Sequence, residues 1–541
     1  MTDLESRLNV LSPESLRGLS RGIEKESLRT RPDGMLADTP HPAGLGSALT
    51  HPNITTDFSE SQLELITGVH ADADACVDEI TAIHQYVHSQ LDGELLWAAS
   101  MPCGLPDDDV IPLGRYGSSN VGRAKTIYRQ GLAHRYGRRM QTISGIHYNF
   151  SLPDSAWRAL MTAPAGASVT GQGSEDLRAA RSTGYFSLIR NFRRQSWLLL
   201  YLFGASPAVC HTFVAGRKHG LQALSGSTLY LPYATSLRMG PLGYQSDAQA
   251  SIAASFNCLD SYAASLRRAL SEPYPPYEAI GIDAGGGRYR QLATTLLQIE
   301  NEFYGTIRPK RTTFSGERPL HALAERGVEY VEVRCIDLDP FEAVGIDAAT
   351  MRFLDVFLLH CLLADSPPDS PDESADNAWN QHRVAQHGRD PALSLRRRND
   401  DGTGPREVGA RQWGLEMLAE CQPIAAALDA ASGNGARHAE ALASARERLH
   451  DASSTPSARM LAAMADGYGD SFSGFILETS QRHREALLAL PLDDARRRRF
   501  EQLAAASIAE QQAIEAADSM PFEEYRQRYL AGTLPIIAKA A

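Results

Sequence analysis

Two stretches of the chain, RGIEKESLRT from Arg21 and VEYVEVRCID from Val328, set charged side chains two residues apart in segments that alternate like strands. A period of two turns Glu24 with Glu26, and Glu332 with Arg334, to one face of a sheet. ITTDFSESQLELITG adds Asp57 and Glu64, and SGIHYNFSL adds His147. Two carboxylates about 4 Å apart repel by roughly 4 kcal/mol at an effective dielectric near 20, so acids gathered on one face need cations or protons. An oxygen-rich site with one imidazole suits Mg²⁺ or Mn²⁺, and Mg²⁺ held by carboxylates commonly completes its shell with substrate phosphates. The chemistry indicated is ATP-dependent.

Each residue also has a plainer reading. Glu24 and Glu26 could face solvent on an edge strand flanked by Arg21, Lys25 and Arg29. Asp57 could be a turn residue opening a hairpin. Glu60, Gln62 and Glu64 could be the wet side of a half-buried strand whose other side carries Leu63 and Leu65, and His147 an ordinary core or surface histidine. Glu332 beside Arg334 could be an in-strand ion pair worth little if exposed. In an active site the same pair would hold metal with the acid and steady a transferring phosphoryl group with the guanidinium. The run IRPKR (307–311) offers further phosphate binders or a surface turn. Arg238, in TSLRMGPLGY, stands in a loop where a guanidinium could clamp a carboxylate through two hydrogen bonds.

Strands far apart in sequence that share one chemical face require a non-local, mostly antiparallel sheet backed by helices, an α+β body. Helices are expected in DACVDEITAIHQYVHSQL and STGYFSLIRNFRRQSWLLLYLFG, where apolar residues recur every three to four positions. Loops are expected near Ala163 and at the glycine run Gly285–Gly287, which lacks the GK[ST] ending of a phosphate-binding loop. After about Gly345 helical patterns dominate. The insert DSPPDSPDESADN (365–377) reads as an exposed, mobile linker, and ARRRRF (495–500) as a solvated helix face.

With 541 residues and a formal net charge of -12, the chain has the size for a large core, and its charge disfavours nucleic acid or an anionic membrane as partner. The start MTDLESRLNV has no apolar run, and the most apolar window, Ser196 to Val209, is too short to span a bilayer. Seven scattered cysteines without a CxxC pair read as reduced, cytoplasmic usage.

Long motifs then carry a resemblance. RGIEKESLRT, PHPAGLGSALTHPNITTDFSESQLELITG, SMPCGLP, TIYRQGLAHRYGRRMQTISGIHYNFSLP, YLFGASPAVC, YLPYATSLRMGPLGY, LQIENEFYGTIRPKR and GVEYVEVRCIDLDPF together closely resemble the gammaproteobacterial-type glutamate–cysteine ligases. The resemblance is dense over residues 18–365 and loose beyond.

It implies a glutamine-synthetase-like core, a curved antiparallel sheet with helices outside, over residues 1–345, and a mainly helical C-terminal region over 346–541. It implies ATP-dependent phosphorylation of the γ-carboxylate of glutamate and displacement of phosphate by the amine of cysteine. The product is γ-glutamylcysteine, in the first step of glutathione biosynthesis. A related carboxylate–amine ligase joining glutamate to another small amine is the alternative. The family's metal positions fall on Glu24, Glu26, Asp57, Glu64, His147 and Glu332. Arg334 and Arg129 would hold the phosphoryl group, Arg238 would grip the α-carboxylate of glutamate, and Phe58, Tyr128, Leu132, Gln141, Tyr244 and Tyr304 would shape the cysteine pocket. The same resemblance leans to a monomer. The glycine run near Gly285, the acidic insert and the tail beyond Ser507 depart from the family pattern without touching these residues, and the C-terminal region is too helical for a fused second ligase.

Overall fold

Alternation does produce strands, and their register decides which side chains meet. The computed structural model describes residues 3–162, 174–243, 247–250, 252, 254–399 and 404–537. Its main sheet has seven strands: β1 (Ser20–Thr30), β2 (Ile54–Thr56), β3 (Gln62–Ile66), β4 (Leu95–Leu96), β5 (Ile146–Ser151), β6 (Ile307–Lys310) and β7 (Tyr330–Ile336). They run in the order β6-β7-β5-β1-β3-β2, with β4 paired to the end of β1. All these pairings are antiparallel, as the non-local arrangement of the motifs requires. IRPKR is thereby mostly strand rather than surface turn.

One face of the sheet is apolar. Ile23, Tyr148, Phe150, Val331 and Val333 are buried there in a core shared with the helices behind. The helices are α1 (Ala73–Gln90), α2 (Asn120–Tyr136), α3 (Ser174–Gln195), α4 (Trp197–Phe203), α5 (Ala348–Leu363), α6 (Pro371–His387), α7 (Ala410–Ser432), α8 (Arg437–His450), α9 (Phe472–Ala489), α10 (Asp494–Ala517) and α11 (Phe522–Ala531), among shorter ones. Polar side chains start several of them: Asp72 accepts from Ala75 N before α1, Ser119 from Gly122 N before α2, and Asp347 from Thr350 N before α5. Met351 to Leu363 of α5 are all buried, and the apolar window from Ser196 is the buried helix α4. No helix among the described residues is long and apolar enough to cross a membrane.

Gly285, Gly286 and Gly287 all have positive φ (81°, 63° and 73°) at the tip of a two-stranded hairpin, the backbone region that glycine enters without steric cost. The turn reading holds there, whereas the loop expected near Ala163 lies mostly outside the described residues. Arg496 to Arg499 are exposed on α10, while Phe500 turns inward.

Three expectations are corrected. The insert at 365–377 is no mobile linker, because its second half is the start of α6: Ser370 caps Glu373 N, Pro371 occupies the first turn, and Asp372 and Glu373 lie at the positive end of the helix dipole. Asp369 and Glu373 pair with Arg193 and Arg194 of α3 at 2.8 and 2.7 Å, and Asp376 holds Arg398 at 3.0 Å. The tail beyond Ser507 does reach the site, through α11. Finally, Cys103 and Cys210, separated by 107 residues, form a disulfide with Cα atoms 5.2 Å apart, so the cysteines are not all free thiols. Spacing along the chain carries no sign of a pair brought together only by tertiary packing.

Candidate active site

The sheet's second face is the floor of a cavity of about 770 Å³. Register assembles it: Glu24 lies opposite His147 between β1 and β5, Glu26 opposite Glu64 between β1 and β3, and Glu332 opposite Asn149 between β7 and β5. Asp57, just past β2, completes the acids lining the cavity, so all six proposed metal positions line one space. Arg21, Lys25 and Arg29 do not neutralise them. Period two sends these cations to the opposite face, where they meet Asp355 (3.1 Å), His84 (2.7 Å) and Glu94 (2.6 Å).

The ring of His147 is central. Its Nδ1 is 3.3 Å from Glu24 Oε2 and 3.7 Å from Glu332 Oε1, and its Nε2 is 3.7 Å from Glu26 Oε1. Glu24, Glu64 and His147 each offer one ligand atom, all within 4.8 Å of one another. Asn149 donates to Glu24 Oε1 at 2.8 Å and Gly145 N to Glu26 Oε2 at 2.7 Å, which fixes two of the carboxylates. Glu332, with Arg334 Nη1 at 3.2 Å and Lys310 Nζ at 3.3 Å, is the acid best supplied with cations.

Protonation follows that distribution. Burial alone would raise every carboxyl, but for Glu332 the charges of Lys310, Arg334 and His147 outweigh it and hold the group well below the usual range. Burial also works against Glu24, where the hydrogen bond with His147 and the charge of Lys310 bring the net shift downward. Glu26 has too little compensation: burial and then the charge of Asp57 push it up to about 8. Glu64 is raised well above its ordinary value by burial and then by Glu24, Asp57 and Glu26. His147 is lowered by burial and by Arg334.

The other expected residues lie on the walls. Helix α2 presents Lys125, Tyr128, Arg129 and Leu132 to the cavity, with the spacing of one helical face. Arg129 donates through Nε to the Asp57 carbonyl and stacks its guanidinium 4.5 Å from the Tyr116 ring. Gln141 Nε2 donates to the Tyr304 hydroxyl at 2.9 Å, and Phe58, at 1% exposure, closes the wall beside Asp57. Arg238 lines the cavity at only 2% exposure, with Nη2 donating to the Arg334 carbonyl at 2.9 Å and Nη1 3.5 Å from Asp337 Oδ1. Tyr244 lies outside the described residues.

Sequence reasoning missed part of the lining. Ser374, Asn377 and Gln381 reach it from α6, the segment misread as linker, and Tyr525 and Tyr529 from α11. The available signals were a Ser-Pro-Asp-Glu helix start and a pair of tyrosines four residues apart on an amphipathic helix. Lys125, one turn before Tyr128, also lines the cavity and carries no such signal in the sequence.

The family model described as glutamate-cysteine ligase matches residues 8–384. The glutamate–cysteine ligase of Azotobacter vinelandii is 49% identical over 536 residues, covering 98% of this chain and 99% of that one. That of Pseudomonas paraeruginosa is 50% identical over 518 residues, covering 96% and 95%. Among solved structures, the glutamate–cysteine ligase of Francisella tularensis in complex with AMP superimposes with a TM-score of 0.87 at 36% identity, covering 95% of this chain and 98% of that one. A bifunctional glutathione synthetase from Pasteurella multocida superimposes with a TM-score of 0.69 at 25% identity, covering 90% of this chain and 55% of that one.

Proposed function

We infer the reaction from two premises together: the chain belongs to the glutamate–cysteine ligase family, and its cavity collects five acids, one imidazole and Arg334 on one sheet face. The enzyme joins the γ-carboxylate of L-glutamate to the amine of L-cysteine, with ATP as co-substrate, giving γ-glutamylcysteine. A γ-carboxylate oxygen attacks the terminal phosphorus of ATP and ADP departs. The cysteine nitrogen then attacks the acyl carbon, the carboxylate oxygen leaves with phosphate, and the ammonium proton is released.

Mg²⁺ or Mn²⁺ fits the donor set on a specific observation. At Glu26 and Glu64 burial and the neighbouring acids outweigh the opposing charge of Arg334 and push both groups towards their protonated forms, and a divalent cation held by Glu24, Glu26, Asp57, Glu64, His147 and Glu332 would supply the missing positive charge. Bound there, such an ion screens the repulsion between an attacking carboxylate and a triphosphate.

Arg334 reaches the phosphoryl group from the strand that carries Glu332, and Arg129 from the helix above Asp57. Arg238 takes the α-carboxylate of glutamate. Its bond to the Arg334 carbonyl ties that grip to β7. Phe58, Tyr128, Leu132, Gln141, Tyr244 and Tyr304 form the cysteine pocket, whose apolar walls keep water from the acyl phosphate. The protein acts as a cytoplasmic monomer on three small molecules.

The carrying observation is the registered set Glu24, Glu64 and His147. Glutamate labelled with ¹⁸O in its γ-carboxylate tests the reading: one label should pass to inorganic phosphate for each dipeptide formed. Unlabelled phosphate would exclude the acyl phosphate.

A further inference from the structure

Two amino-acid substrates bring two α-carboxylates, and one cation, Arg238, is assigned to them. Among the described residues, seven lysines and arginines line the cavity. Six are engaged by the protein: Arg334 and Lys310 with Glu332, Arg238 with Asp337, Arg193 with Asp369, Arg129 with the Asp57 carbonyl and Arg308 with the carbonyls of Asn301 and Phe303. Lys125 is different. Among the described residues its ammonium has no carboxylate within ion-pair distance, and Nζ stands over the Tyr116 ring, 5.1 Å from its centroid. An ammonium half-buried without an anion carries a desolvation cost that a bound carboxylate would offset.

Its position is as specific as its charge. Lys125 precedes Tyr128 by three residues and Leu132 by seven, on the face of α2 that lines the cavity. The helix is anchored at its start by Asn120, which donates to Asp518 Oδ1 at 2.8 Å and to the Met520 carbonyl at 2.7 Å, and Arg129 Nη1 donates to the carbonyl of Lys125 itself at 2.9 Å. Burial and then the charge of Arg129 lower the Lys125 ammonium to about 8, with Glu64 acting in the opposite direction.

We propose that Lys125 is a substrate-binding residue that receives the α-carboxylate of one of the two amino acids, completing with Arg238 a pair of carboxylate sites on the cavity wall. The proposal rests on the ligase reading above and adds to it a specificity element: α-amino acids over the corresponding amines.

Calorimetric dissociation constants test it without requiring turnover. Glutamate is compared with 4-aminobutyrate, and cysteine with cysteamine, each pair differing only by the α-carboxylate, in wild type, Lys125→Met and Lys125→Arg. In Lys125→Met, one amino acid should bind at least about tenfold more weakly, a change of about 1.4 kcal/mol, while its decarboxylated analogue binds as before. Lys125→Arg should restore most of the preference, and ATP affinity should stay within about twofold. Whichever amino acid responds is the one Lys125 holds. Unchanged discrimination for both pairs, whatever happens to absolute affinity, overturns the proposal. Should Lys125→Met fail to fold, Lys125→Gln carries the same readout. Failure of wild type to form dipeptide would count against the ligase reading and leaves this binding comparison intact.

Discussion

Glu24 on β1 and His147 on β5 stand directly opposite each other, with Nδ1 3.3 Å from Oε2, and Glu64 brings a third ligand atom within 4.8 Å of both. Three residues up to 123 positions apart in sequence thus converge on a volume that one cation would fill.

Glu64→Gln keeps the side-chain size and removes a charged ligand. Turnover at saturating Mg²⁺ should fall by more than about 100-fold, or roughly 2.7 kcal/mol in the barrier, with unchanged circular dichroism. Activity within about threefold of wild type would take Glu64 out of the metal set.

Charge on the cluster makes metal-free stability depend on pH. Folding raises Glu26 from 4.5 to about 8 through burial and the charge of Asp57, and Glu64 shifts in the same direction. Between those two values the folded state keeps a proton that the unfolded chain has released, so stability contributed by Glu26 falls as pH rises. The thermal midpoint gained on adding Mg²⁺ should therefore be larger at about pH 8.5 than at about pH 5.5, and Glu26→Gln should shrink that difference. A gain independent of pH in wild type would contradict the assignment.

Ser370 caps α6 through Glu373 N, so Ser370→Ala should destabilise the helix by about 1 kcal/mol and lower the thermal midpoint. A midpoint equal to wild type would return this segment to the status of a linker.

Tyr525 and Tyr529 hold the end of the chain against the cavity, with rings 6.1 Å apart and 8° from parallel. Removing a cavity wall should reduce kcat/KM of Tyr525→Ala by about tenfold, or 1.4 kcal/mol, with Tyr525→Phe near wild type. Full activity in Tyr525→Ala would make α11 a structural appendage.

Much of the floor was legible because strand alternation is a local property: a period of two assigns Glu24, Glu26, Glu332 and Arg334 to faces without knowledge of the fold. Register is not local. That Glu26 meets Glu64, or that Lys25 turns away to His84, depends on which strands pair. Composition misled at 365–377, where prolines and acids that suit a linker also suit the first turn of a helix. Lys125 was hidden for another reason, since a lysine on a polar helix attracts notice only once its neighbours prove to be engaged.

The most direct test is phosphate release from Mg-ATP by purified protein with glutamate, with and without cysteine, alongside mass detection of the dipeptide. Phosphate and γ-glutamylcysteine in equal amounts, formed only when both amino acids are present, is the expected result. Phosphate released without dipeptide would contradict the ligation of cysteine and point to another amine as acceptor.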